Sequence, residues 1–233
     1  MAPPQPSKGT VTQWVSGQLR EQVLSGALPA GAPLREEDLA AEFGVSRHVV
    51  REALRLLAAD GLADYASYRG ARVPRLSGED VRDIYRARTF IETAALLRGD
   101  GDLARELALI HGRFVRAVSE KAWVEAFASD VAFHGALAAA AGSDRLTAWH
   151  SDLMRSLRLA HLVAPAFQEQ GLSESVAQHA EIIVALTAGD QAGAARALED
   201  HLGTAQKLLA LRVDDAAPPG RRTRPPMVGA PKD

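Results

Sequence analysis

From residue 78 onward the sequence is written almost entirely in one period. Apolar residues recur every three to four positions through segments near 78–98, 102–119, 121–141, 143–164, 173–188 and 190–212. Breaks such as "GDGD", "AAGSD" and "AGDQ" divide them. Successive amphipathic rods must bury their stripes against one another, so this half of the chain is expected to be a bundle of helices. Composition agrees: alanine and leucine dominate and aromatics make up 5% of residues, which favours helices over a sandwich of strands. With 233 residues, 47% of them apolar, the chain can build one large domain or two small ones.

The first part of the chain is patterned differently. Val11, Val15 and Leu19 recur at helical spacing, and "SGALPAG" ends that segment. A short helix is expected from about Glu36 to Phe43, with Leu39 and Phe43 facing inward. Gly44 breaks it, and Ser46 is placed to cap a second helix running towards Asp60 and Gly61. The stretch "LADYASYRGARVP", with Tyr65, Tyr68 and a central Gly70, reads as a small β-hairpin. The pattern changes near Arg75 to Ser77. The expected organisation is therefore a loose tail at 1–10, a mixed helix–hairpin domain at 11–75, an all-helical domain at 76–212 and a proline-rich polar tail at 213–233. The fold class is mainly α, with three helices and a hairpin ahead of the bundle.

Several chemistries are excluded or weakened at once. There is no cysteine, so disulfides and thiolate metal sites are out. No apolar run approaches the roughly 20 residues that span a bilayer, and "MAPPQPSKGT" lacks the apolar centre of a signal peptide. A soluble cytoplasmic protein without a membrane partner is expected. The formal net charge of −2 does not decide whether nucleic acid is a partner, because a local patch is what matters.

Such a patch is present. On a helical wheel from Ser46 to Ala58, Val49, Val50, Ala53, Leu54, Leu56 and Leu57 gather on one side. Arg47, His48, Arg51 and Arg55 fill the other, with Glu52 the one carboxylate near them. A short helix, a tight glycine turn and a basic second helix is the arrangement with which helix–turn–helix proteins enter the major groove. Arginine serves there because its permanent charge and planar fork bind phosphate or guanine bidentately. "YRGARVP" then reads as a wing whose Arg69 and Gly70 could approach a groove closely.

The stretch "LSGALPAGAPLREEDLAAEFGVSRHVVREALRLLAADGLADYASYRGARV" resembles the winged helix–turn–helix of the GntR family of bacterial transcription regulators. The resemblance is carried by the glycine–proline loop, the "LAAEFGVSR" turn, the "VREAL" recognition helix and the "RGA" wing. It implies Arg35, Arg47, Arg51 and Gly70 at DNA, with Ser46, His48 and Arg69 in second rank. The family usually has Thr-Pro-Val after "SR", whereas this chain has His48, Val49 and Val50, so base preference does not transfer.

In the helical part, Asp130 and His134 lie four apart on one helix, His179 on a second and His201 on a third. These nitrogen and oxygen donors could converge on a metal inside a bundle, or the histidines could be ordinary hydrogen-bonded core residues. The segment from about Gly78 to Arg212 resembles the effector domain, called FCD, of FadR-type GntR regulators. Many of its members carry an Asp-x-x-x-His helix, a histidine ahead of an "I…A…GD" run and a last histidine in the final helix. That resemblance implies Asp130, His134, His179 and His201 as ligands of a divalent metal, zinc in first place, with nickel, manganese or iron(II) accepted by the same donors. His111, His150 and His161 have no counterpart and are read as surface or structural residues. In "YRARTFIE", Arg88 stands four before Glu92 and resembles an arginine that faces the ligand cavity. It would bind a small carboxylate effector, unless it forms a plain surface pair with Glu92; Arg86 is the alternative half a turn away.

The resulting expectation is a ligand-responsive regulator, not an enzyme, that binds operator DNA as a homodimer and senses a small organic acid. The alternatives are a metal-dependent hydrolase-like enzyme built on Asp130 and the histidines, and a regulator for which the metal is itself the signal. No glutamate is tied by pattern to the ligands as a general base, in contrast to His-Glu-x-x-His sites.

Overall fold

The computed structural model describes residues 8–66, 70–98, 101–162 and 165–215. The chain divides into two compact units, one ending at Arg75 and the other beginning at Leu76.

In the first unit, α1 (Lys8–Leu24), α2 (Glu36–Phe43) and α3 (Arg47–Ala59) are joined by a three-stranded antiparallel sheet. Its strands are β1 (Pro33–Leu34), β2 (Asp64–Ala66) and β3 (Gly70–Arg72), in the order β1-β3-β2. The hairpin expected from sequence is β2–β3, with Tyr65 opposite Ala71. The added strand β1, with Leu34 opposite Ala71, was not foreseen because two residues carry no periodicity. Helix α1 starts at Lys8, so the expected tail at 1–10 is helical from that residue on.

Local chemistry explains the turn. Gly44 takes the left-handed conformation at φ 64°, which costs other residues a Cβ clash, and its N–H donates back to Ala40. Two residues later Ser46 stays extended and its side chain accepts from the Val49 amide, starting α3. The helix is then pinned by its apolar side. Val50, Ala53, Leu54 and Leu57 are buried with Val15, Leu19 and Leu39, and each large aliphatic side chain contributes roughly 1.5–3 kcal/mol. Leu56, expected on that side, is exposed instead. It sits at the edge of the stripe, where a turn of 100° per residue carries it past the core.

The regular elements described in the second unit are helices: α4 (Gly78–Leu96), α5 (Gly101–Ser119), α6 (Trp123–Ala139), α7 (Asp144–Leu162), α8 (Pro165–Thr187) and α9 (Gln191–Asp215). Helix α8 begins eight residues before the expected start at 173. The helix runs through Gly171, and Pro165 occupies the first position, where its missing N–H costs nothing. Helix α4 opens with a capping box between Ser77 and Asp80. The Gly78 amide also donates to the Asp214 carboxylate, 2.8 Å away in the last turn of α9. The expected tail from 213 is thus helical as far as Asp215, and residues 216–233 lie outside the described part. Helix α4 packs on α9, α5 on α6, and α8 on α9. Val81, Leu107, Phe133, Leu157, Ile182 and Leu198 are the centre of the core they enclose.

Candidate functional site

The basic side of α3 is at the surface. Arg47 and His48 are exposed and make no ion pair among the described residues. Arg51 is not free. Its Nε donates to Glu36 Oε1 at 2.9 Å and its Nη2 to Oε2 at 2.7 Å, a fork-on-fork pair across the turn, while its side chain stays about half exposed. Arg55 is paired with Glu52 at 2.7 Å. Glu52, the one carboxylate expected near these arginines, is thus joined by Glu36, and two of the three are paired. The sequence signal was the acidic first turn of α2, Glu36–Glu37–Asp38, but the turn geometry that folds it onto α3 is tertiary. The Arg51 hydrogen bond, then the charges of Arg51, Arg47 and Arg55, hold the Glu36 carboxyl below its usual range.

The other candidate residues in this unit fall nearby in the chain's fold. Arg35 precedes α2, is exposed and lies 3.8 Å from Asp38. Ser46 is exposed but its hydroxyl is used by the α3 cap. Gly70 begins β3 with φ 74°, and a Cβ there would meet nothing within 4 Å, so the wing uses its backbone freedom rather than its small size. Arg69 lies outside the described residues. The Tyr65 hydroxyl donates to the Arg51 carbonyl at 3.3 Å, tying β2 to α3.

The histidines do converge. His134 on α6, His179 on α8 and His201 on α9 are all buried, and their ligand atoms lie within 4.8 Å of one another. His201 Nε2 is 3.2 Å from His134 Nε2 and 3.3 Å from His179 Nε2. Asp130 flanks them, its Oδ1 3.9 Å from His134 Nε2 and 3.7 Å from His179 Nε2. Phe133 stacks on the His179 ring at 4.0 Å and 2°, which fixes that ring's plane.

Hydrogen bonding decides which nitrogens are available. His134 Nδ1 is 2.6 Å from Glu92 Oε2, an acceptor only, so Nδ1 carries the proton and Nε2 presents a lone pair. His201 Nδ1 is 2.8 Å from Gln178 Oε1, with the same consequence. His179 Nδ1 is buried without a partner. Lone pairs facing one another across 3.2 Å repel unless a cation lies between them. A tetrahedral metal with nitrogen ligands at about 2.0–2.1 Å spaces those ligands about 3.4 Å apart. The donor set fits a divalent metal.

Burial first, then the neighbouring His201 and His134, holds His179 well below the ordinary histidine value of 6.5; burial and then His134 do the same for His201. Both bind fewer protons folded than unfolded. Stability of the metal-free protein is thus fully present above 6.5 and lost progressively as pH falls below it. Melting temperatures of chelator-treated protein are expected to be flat above that value and to fall towards about pH 5. A flat profile throughout would contradict this.

Arg88 resolves the choice left open by sequence in neither direction. It pairs with Glu92 at 2.9 Å, but both side chains are buried, 3% and 0% exposed. Its guanidinium carbon lies 4.8 Å from the Tyr85 ring centroid, and its Nη2 is buried without a hydrogen-bond partner. Arg86 is exposed and paired with Glu79 and Asp83. Burial pushes the Tyr85 hydroxyl up to about 12. Of the unmatched histidines, His150 is buried and its Nε2 sits 2.8 Å from Glu92 Oε1. His161 is buried with Nδ1 donating to the Leu157 carbonyl. Sequence reasoning gave Glu92 and His150 no part at this centre, because neither has a spacing relation to the ligands.

Comparison with known proteins adds the following. The family described as bacterial regulatory proteins, gntR family, matches residues 12–73, and the FCD domain family matches residues 83–204. A protein of Paenarthrobacter nicotinovorans named "Probable D-xylose utilization operon transcriptional repressor" is 30% identical over 204 residues, covering 84% of this chain and 89% of its own. An uncharacterized HTH-type transcriptional regulator in an unstable DNA locus of Streptomyces ambofaciens is 35% identical, covering 79% of each chain. Among solved structures, a "putative transcriptional regulator GntR" from Rhodococcus sp. RHA1 superimposes with a TM-score of 0.70 at 29% identity, over 85% of this chain and 96% of that one.

Proposed function

The chain belongs to the GntR family of bacterial transcription regulators and carries its FCD domain, and from that premise we propose that it is a metal-containing, carboxylate-responsive regulator that binds operator DNA as a homodimer in the cytoplasm. No helix among the described residues is long and apolar enough to cross a membrane. Arg47, Arg51, Arg35 and His48 are the side chains assigned to DNA, with Arg69 and Gly70 at the wing. Ser46 acts by starting the helix that carries them.

The observation that carries the sensing half is the convergence of three buried imidazoles with their Nε2 atoms mutually close. His134, His179 and His201 would hold the metal, with Asp130 beside them. When bound, a divalent metal supplies a Lewis-acidic centre that accepts a carboxylate oxygen. Arg88 would receive the other end of such an anion on Nη2, the guanidinium nitrogen left buried and unpartnered. Catalysis is the weaker reading, because Glu92, the buried glutamate at this centre, already accepts from three donors and is not available as a base. An effector changes DNA affinity only through unequal binding to the DNA-competent and incompetent arrangements.

The test is selection of a duplex from a random pool by the full-length, metal-loaded protein, followed by titration at several salt concentrations and with a panel of small carboxylates. Enrichment of a two-fold symmetric site is expected, with affinity falling steeply as salt rises. At least one carboxylate should shift affinity in metal-loaded protein and not in chelated protein. No enriched duplex would sink the DNA assignment; a response indifferent to metal would sink the sensing one.

A further inference from the structure

We propose that Glu92 is a positioning residue shared by the metal centre and Arg88, and that it sets the metal affinity of the site. This rests on the metal reading above. The Glu92 side chain is 0% exposed and stands where α4, α6 and α7 meet. Its Oε2 accepts from His134 Nδ1 at 2.6 Å. Its Oε1 accepts from Arg88 Nε at 2.9 Å and from His150 Nε2 at 2.8 Å. Three donors from three directions converge on one carboxylate.

An ionised carboxylate, acceptor at both oxygens, is the side chain that satisfies all three. The Arg88 guanidinium beside it, with Nε 2.9 Å from Oε1, supplies the counter-charge a buried carboxylate requires. The bond to His134 fixes the proton on Nδ1, aims Nε2 at its partners and makes the ring a stronger donor to a metal. The same carboxylate holds the Arg88 fork by Nε and leaves Nη2 free to point elsewhere. His150 steadies Glu92 from the third side, which gives this fully buried histidine a task.

Glu92→Gln keeps the shape and breaks the logic. Turned one way, the amide NH2 faces His134 Nδ1, moves that ring's proton to Nε2 and removes a ligand. Turned the other way, it faces the N–H groups of Arg88 and His150. In the full-length protein, competition with a chromophoric chelator is expected to find Zn2+ bound about 10–100-fold more weakly by Glu92→Gln, and the visible spectrum of the Co2+ form should change. His150→Gln, which can still donate an N–H to Glu92, should stay within about threefold of wild type. Long-range proton–nitrogen correlation of the wild-type imidazoles should find His134 protonated at Nδ1, a readout that needs no variant to fold. Glu92→Gln with wild-type Zn2+ affinity and an unchanged Co2+ spectrum overturns the proposal, as does a His134 protonated at Nε2. Failure of the wild type itself to take up Zn2+ or Co2+ overturns the metal reading beneath it, and so separates the two.

Discussion

Arg47→Glu combined with Arg51→Gln is expected to remove specific DNA binding, lowering affinity at least about 100-fold. Each arginine at a base edge or phosphate contributes about 1–3 kcal/mol, and two recognition helices in a dimer double the loss. Reversal of charge is confined to Arg47, since a second carboxylate at position 51 would face Glu36 and confound binding with folding. Fluorescence anisotropy on the selected duplex, with circular dichroism as a folding control, measures it. The informative counterpart is Glu36→Gln. Glu36 holds Arg51 by both nitrogens of a fork, so Arg51 must exchange or share that partner to reach DNA. Weakening the pair should raise affinity for unrelated duplexes more than for the selected one. Binding that survives the double arginine substitution would remove α3 from the interface.

The second large effect concerns the metal. His201→Ala and His179→Ala are each expected to abolish stoichiometric uptake of Zn2+, measured by elemental analysis after gel filtration. His201 is the hub, with Nε2 within 3.3 Å of both other imidazoles, so its removal leaves two imidazoles and Asp130 without the nitrogen that links them. Saturating metal stabilises the folded state by about 2.7 kcal/mol at one hundred times the dissociation constant. For a chain of this size that is on the order of 5–10 °C in melting temperature, and the variants should lose it. Full uptake by His201→Ala would displace the centre to other residues.

Much of this was legible before any coordinates. Local punctuation, Gly44 and Ser46, is enough to place α2, the turn and α3, because caps and left-handed turns are decided within a few residues. The regular stripes gave the bundle for the same reason. The candidate ligands were visible through resemblance, and the structure brings three of them together with Asp130 alongside. What sequence could not supply was partnership across distance. Glu36 meets Arg51 fifteen residues away, Glu92 meets His134 forty-two away and His150 fifty-eight away. No periodicity encodes those contacts. The Arg88–Glu92 spacing was visible, but whether such a pair is wet or buried depends on α6 and α7 closing over it.

Asp214 and Gly78 join the two extremities of the helical bundle. An N–H at its opening is answered by a carboxylate at its close, and a Cβ at position 78 would collide with that carboxylate. The bundle is in this sense a clasped ring rather than a row of rods with loose ends. Trimming the protein at residue 212, where composition turns polar, would unfasten the clasp and loosen the very helix that bears Arg88 and Glu92.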